Sequence, residues 1–258
     1  MTNLDLKKIT EDLVETFLKA GQVAKDINKR GLKITIKSDK TPVTDGDLEV
    51  DRILRSKIKA LTPNIAIISE ETVDINIENK ERIFWLIDPI DGTRDYISKK
   101  EEYTLNAALI IDLMPAIGVI YAPEKERLFF SYGPNLAFEI NKGKKEILNG
   151  KKKFAKEIIG LENFRSTPTE VINIYKKYNV SRTIKMSSSF KFCTLAAGEA
   201  DIYAANARAF EWDIAAGHAI LEHAGGSVTD HNGKTFLYGK KNYKNIAIIA
   251  KRSKNLDL

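Results

Sequence analysis

Apolar residues recur at steps of three and four over residues 5–28, where Leu6, Ile9, Leu13, Phe17, Ala20, Ala24 and Ile27 form one face of a long amphipathic helix. A second helix is predicted over 48–60, with Val50, Ile53, Leu54 and Ile58 turned inward. The piece between them, LKITIKSDKTPVT (32–44), reads as extended. IAIIS (65–69) and IFWLID (83–88) are compact apolar runs that stop abruptly in acidic residues, as buried strands do when they deliver side chains to a site at their ends. YTLNAALII (103–111), AIGVIYAP (116–123) and RLFFSYG (127–133) read as strands, the last two a hairpin around Pro123. A further hairpin, LAFEI (136–140) and KKEIL (144–148), turns at 141–143. From there strand and helix alternate: KEIIGLEN (156–163), a helix near 168–178, RTIKMS (182–187), a helix over 189–198, ADIYAA (200–205), a helix over 213–224 and a closing strand NIAIIAK (245–251). The pattern predicts an α/β protein of two lobes. An α+β lobe over 1–140 carries the acidic motifs, and an α/β lobe over 141–258 follows a polar, Gly- and Lys-containing junction near 134–153.

Composition narrows the class. With 258 residues, 43% hydrophobic and 29% charged, the chain can bury a large core, and disorder, collagen and membrane classes are disfavoured. Asp5, Glu11, Asp12 and Glu15 interrupt the first helix, and no stretch approaches the roughly 18 apolar residues of a spanning helix. A cytoplasmic protein is expected. The single cysteine, Cys193, excludes an intramolecular disulfide and a Cys-rich zinc site, and is expected as a small buried residue. The net charge of +6 is concentrated in residues 141–157, with seven lysines against two glutamates. That stretch reads as a solvated loop and hairpin edge; a nucleic-acid surface would want aromatic interleaving, and no such pattern supports one.

The chemistry gathers in WLIDPIDGT (85–93). A buried strand runs into Asp88, Pro89 bars the normal ladder, and Asp91-Gly92 makes a tight turn, so two carboxylates and the Ile90 carbonyl can converge on one point. That all-oxygen setting suits magnesium. Taken alone, the string is also an ordinary turn. Glu70 ends a second buried run, where ion pairing would account for it equally. Asp213 stands at the place of an N-terminal helix cap, which by itself explains it. Together, three independent acidic ends make a coherent metal-site hypothesis.

These residues carry a resemblance. PVTDGD (42–47), ISEE (68–71), WLIDPIDGTRDY (85–96), EYTLNAALI (102–110), SSSFKFCTLAAGEADIY (187–203) and EWDIAAGHAILEHAGG (211–226) resemble the lithium-sensitive, magnesium-dependent phosphatase superfamily that includes inositol monophosphatase. Within it the chain looks most like the 3′(2′),5′-bisphosphate nucleotidases. The resemblance implies a layered αβαβα fold, with Glu70, Asp88, the Ile90 carbonyl, Asp91 and Asp213 holding two or three Mg²⁺ ions. Asp47 and Thr93, with Glu70, would prepare the attacking water. Asp91, Gly92, Thr93 and Asp213 would also face the substrate, Gly92 and Thr93 through free backbone N–H groups. Ser187, Ser188, Ser189 and Lys191 would contact the nucleotide, although serines also simply cap helices. The chain departs from the pattern at Ser187, where glycine is expected, and at Ala204-Ala205, where Pro-Arg is common; Arg208 offers a substitute charge. The implied partner is a small phosphorylated metabolite rather than nucleic acid or a membrane, and a homodimer is common in such proteins. The rival readings are an inositol or other sugar monophosphatase and a non-catalytic polyanion-binding protein using the Lys-rich stretch. His218, His223 and His231 are given no chemistry, since a spacing of five does not put His218 and His223 on one face for zinc. Tyr96, Tyr103 and Trp212 are assigned to core or cleft wall.

Overall fold

The structure, a computed structural model, describes residues 4–37, 40–77, 79–149, 157–164, 166–235 and 237–256. Lys151, Lys152, Lys153 and Lys156 of the Lys-rich stretch lie outside the described residues. The chain runs α1 (Leu6–Arg30), β1 (Ile34–Ile36), β2 (Pro42–Thr44), α2 (Asp45–Leu61), β3 (Ala66–Ser69), β4 (Ile83–Asp91), α3 (Thr93–Ile97), β5 (Thr104–Ile111), β6 (Met114–Ala122), β7 (Arg127–Ser131), β8 (Ala137–Asn141) and β9 (Lys144–Ile147). It continues with β10 (Ile158–Glu162), α4 (Thr169–Lys177), β11 (Val180–Lys185), α5 (Phe190–Ala196), β12 (Ile202–Ala205), α6 (Glu211–His223), β13 (Ser227–Thr229) and β14 (Ile248–Lys251).

Five layers result. The apolar stripe of α1 and the inner face of α2 bury Leu13, Phe17, Val50 and Leu54 against one face of a seven-stranded sheet of order β3-β4-β5-β6-β7-β8-β9. Full burial of each such side chain contributes about 1.5–3 kcal/mol. The other face of that sheet, through Phe84, Leu86, Ala108 and Ile110, packs on the α5 and α6 layer. Beyond it lies a five-stranded sheet of order β11-β10-β12-β14-β13, and α4 covers the far side through Val171 and Tyr175. The layered αβαβα class is what the structure has.

Several local readings change. The extended piece 32–44 is a small antiparallel hairpin, β1 with β2, whose first strand is exposed throughout. Helix α2 begins at Asp45 rather than 48, because Thr44 caps it: its hydroxyl accepts from Gly46 N and Asp47 N, and the Asp47 carboxylate accepts from Thr44 N. α6 is buried on nearly every side rather than amphipathic, since it is sandwiched between the two sheets. The strand predicted to stop at Asp88 runs on to Asp91, because a register shift absorbs Pro89. α3 and β13 were not predicted; the one is a single short turn and the other three residues, both below what periodicity resolves. Cys193 is fully buried. The two sheets draw their strands from before Leu148 and after Glu157, so we propose that the lobes divide between those residues.

Candidate active site

Along β4 the side chains alternate strictly at first: Trp85 and Ile87 enter the core under α1 and α2, while Phe84 and Leu86 enter the one shared with α5 and α6. Asp88 pairs with Asn106 and Asp91 with Thr104, so three steps of β4 match two of β5, and one extra residue is bulged out. Ile90 drops into the α1 and α2 core. Gly92 then turns the chain with φ of +93°, a conformation that strains any L side chain. Asp91 accepts a hydrogen bond from Ser189 N at 2.5 Å, and Ser189 Oγ is itself engaged by Asn106 Oδ1 at 2.7 Å and Thr104 Oγ1 at 2.9 Å.

Glu70 joins from the end of β3, its N–H donating to Ile87 O at 3.1 Å. Asp213 joins from α6. It is not the cap of that helix but its third residue, and its carboxylate accepts from Phe210 N at 2.9 Å. One carboxylate oxygen each of Glu70, Asp88 and Asp213 lies within 4.8 Å of the others. Burial and mutual repulsion push the Asp88 carboxyl well up, through Glu70, Asp91 and Asp213; Asp213 is pushed well up by burial, Asp91 and Glu70. Burial also raises Asp91, against the pull of the Lys191 charge and the Ser189 N–H. Asp88 Oδ1 is buried with no hydrogen-bond partner. An orphaned carboxylate oxygen inside an all-oxygen cluster is satisfied by a hard divalent cation, so these residues fit one.

Beside the cluster, Thr93 Oγ1 lies 3.1 Å from Asp47 Oδ1 and 3.2 Å from Ile90 O. Asp47 is fully buried in the first turn of α2, its other oxygen holding Thr44 N and Thr44 Oγ1 at 2.8 and 2.5 Å. Burial raises its pKa, and the Thr44 and Thr93 hydrogen bonds counter that. α3 is tied down behind Thr93: Tyr96 donates its hydroxyl to Ala24 O at 2.6 Å, and Asn28 donates to Tyr96 O at 2.6 Å. Gly46 lies hard against the Tyr96 ring, where a Cβ would overlap its hydroxyl.

The serine segment closes the far side. Ser187 N donates to Glu102 Oε2 at 2.7 Å, Ser188 Oγ accepts from Phe190 N at 3.3 Å, and Lys191 donates to Ser188 O at 2.7 Å while lying 5.2 Å above the Tyr203 ring. Ser189 thus has both its N–H and its hydroxyl committed to protein partners. Lys37 and Glu71 escaped the sequence reading. Lys37, just past β1, sits 2.7 Å from Glu71 Oε2 and 3.5 Å from Glu70 Oε1, a cation beside the carboxylates. Burial raises Glu71 to about 7 despite the Lys37 hydrogen bond. Its place next to Glu70 was the available signal; for Lys37 there was none. Trp212 is core, stacked on Phe210 with centroids 4.7 Å apart. Among the histidines, His218 bonds Tyr238, His223 bonds Ser131, and His231 meets Ala205 O.

A layered αβαβα sandwich whose strand and helix ends bring carboxylates to one point beside a Thr-Asp pair fits one class, the metal-dependent phosphatases. The profile of the inositol monophosphatase family matches residues 5–257, and the chain belongs to that family. It is 35% identical to the 3′(2′),5′-bisphosphate nucleotidase CysQ of Buchnera aphidicola, over 82% of this chain and 79% of that one. With CysQ of Salmonella typhimurium it shares 32% identity, over 78% of this chain and 81% of that one. The crystal structure of CysQ from Bacteroides thetaiotaomicron superposes with a TM-score of 0.77 at 27% identity, covering 93% of this chain and 96% of that one. The inositol monophosphatase of Anabaena shares the fold, with a TM-score of 0.77 at 22% identity over 98% and 94% of the two chains.

Proposed function

We propose that the chain is a 3′(2′),5′-bisphosphate nucleotidase, hydrolysing the 3′-phosphate of adenosine 3′,5′-bisphosphate, or of its sulfated relative, to leave the 5′-phosphate. The carrying observation is the convergence of Glu70, Asp88 and Asp213 around the orphaned Asp88 Oδ1, with the Thr93-Asp47 pair alongside. The substrate is supported by relatives named for that activity. A sugar monophosphatase draws less support, since the solved structures named for inositol phosphate share about a fifth of their residues with this chain.

In this reading Glu70, Asp88, the Ile90 carbonyl, Asp91 and Asp213 hold the metal, Mg²⁺ in two or three copies. The chemistry a bound divalent ion supplies is Lewis acidity, which makes water nucleophilic near neutral pH and offsets charge on the phosphoryl and leaving oxygens. Thr93 donates its hydroxyl proton to Asp47, which leaves its oxygen lone pairs to accept from the attacking water and aim it. Asp47 is fixed in that task by Thr44, which takes its other oxygen. Ser189 holds Asp91 in place rather than touching the substrate. Gly92 and Thr93 offer backbone N–H groups to the phosphate, and Ser187, Ser188 and Lys191 line the nucleotide side. A cytoplasmic setting and a homodimer belong to the same proposal and rest on the resemblance; no helix among the described residues is long and apolar enough to cross a membrane.

The test is phosphate release from adenosine 3′,5′-bisphosphate, inositol 1-phosphate and fructose 1,6-bisphosphate, each with Mg²⁺ and with EDTA. Mg²⁺-dependent preference for the nucleotide supports the proposal. Preference for a sugar phosphate overturns the substrate, and salt-sensitive nucleic-acid binding without turnover overturns the enzyme.

A further inference from the structure

A cavity of about 120 Å³ opens off the acid cluster, and a second of about the same volume adjoins it. The inner one touches Asp91, Asp213, Ser188 and Lys191; the outer one runs between Glu162, Thr167, Pro168, Val171 and Ala204. Asn163, Tyr203, Ala205, Asn206, Arg208 and Ala209 are common to both, so the two form one trench with a shared wall. Its inner end sets Asp91, Asp213 and Lys191 beside Phe192, Ile214 and Ile248, and its outer end sets Pro168, Val171 and Ala204 beside Glu162 and Thr167.

The charges along the trench are uneven. Lys191 is buried and turned onto Ser188 O, beside Asp91. Arg208 is exposed on the shared wall and makes no hydrogen bond or ion pair among the described residues. Lys191 and Arg208 both line the inner cavity, so an anion placed between them meets two cations. The phosphate to be cut belongs at the carboxylate cluster, so the anion at Arg208 is a second one. Small side chains at Ala204 and Ala205 leave the outer chamber open, and Arg208 is the cation on the shared wall.

We propose that Arg208 is the specificity-determining residue for the phosphate that is not cut, selecting nucleosides that carry two phosphates over those that carry one, with the base in the outer chamber. This rests on the nucleotidase reading above and names the residue through which that reading acquires its selectivity. Glu162, half-buried at the outer chamber, keeps a second phosphate from sitting there and leaves Arg208 as its partner.

The experiment compares kcat/KM for adenosine 3′,5′-bisphosphate with that for adenosine 3′-monophosphate, which keeps the base and the scissile phosphate and lacks the second anion. Wild type, Arg208→Gln and Arg208→Lys are assayed with Mg²⁺, with inositol 1-phosphate as a third substrate. Loss of one charge-assisted contact corresponds to about 10- to 100-fold. Arg208→Gln is expected to shrink the bisphosphate-to-monophosphate ratio by that factor, through a raised KM rather than a lowered kcat, and Arg208→Lys to restore part of it. An unchanged ratio in Arg208→Gln overturns the proposal and leaves the nucleotidase reading standing. Turnover of inositol 1-phosphate with neither nucleotide cut overturns both.

Discussion

Replacing Asp88 with asparagine separates a metal site from a coincidental cluster, because only a metal site makes the response to Mg²⁺ depend on Asp88. Its carboxylate stands within 4.8 Å of those of Glu70 and Asp213, and one of its oxygens has no partner. Two like charges at that distance repel by about 3 kcal/mol at an effective dielectric of about 20. Protonation relieves much of this in the metal-free protein, which leaves about 1–3 kcal/mol to be gained when Asp88→Asn deletes one charge and adds an amide donor. For a chain of this size that is about 2–6 °C in Tm. Melting at pH 8 in EDTA should therefore show the variant more stable than wild type. Adding Mg²⁺ should stabilise wild type, by about 2.7 kcal/mol at a hundredfold excess over Kd, and leave the variant nearly unmoved. Turnover should fall by about 10³-fold or more, since the ion that prepares the water is no longer held. A variant that melts below wild type in EDTA, keeps the Mg²⁺ shift, or retains kcat within about tenfold would refute the reasoning.

Three further outcomes follow from the same geometry. Carboxyl pKa values raised in the fold mean that the folded chain binds more protons than the unfolded one above the usual carboxylate range, so metal-free stability should fall as pH rises from about 5 through 7, where Glu71 titrates, and Mg²⁺ should flatten the slope. Melting curves at several pH values in EDTA check this, and a rising slope contradicts it. Thr93→Ala should lower kcat by about 10²-fold or more with little change in KM, and Thr93→Ser should recover most of it; steady-state kinetics with Mg²⁺ decide. Gly46→Ala should cost about 1–3 kcal/mol and lower kcat, because the new methyl pushes the start of α2, and with it Asp47, away from Tyr96; urea unfolding and kinetics on one preparation would show both losses or neither.

The long periodic elements were legible because one physical term dominated each. The stripe of α1 and the apolar run of β4 are set by burial, and the acidic ends of β3 and β4 pointed to a site. What stayed hidden depended on partners distant in the chain. Pro89 correctly signals a break in a regular ladder, but only the pairing with β5 shows that the break is a bulge within the strand. Asp213 has the local appearance of a cap, and the chain entering α6 from Phe210 sets it three positions further in than the cap. Nothing near Ser189 in sequence shows that its hydroxyl meets Asn106 and Thr104, over eighty residues away. Lys37 belongs to a hairpin too short and too polar to show a period, so nothing marked it as a neighbour of Glu70.

A strand keeps time in twos, and residues three apart belong to opposite beats. Asp88 and Asp91 would then face different layers, one under α1 and α2 and the other under α5 and α6. The residue bulged out between them is a half-period slip, which puts Asp91 back in phase with Asp88 and sends Ile90 to the apolar side in its place. The site therefore depends on the slip. Without it, the same three steps from Asp88 to Asp91 would leave every side chain chemically intact and rotate a carboxylate into a hydrocarbon layer, whereas loops elsewhere on the surface can lengthen or shorten at little cost.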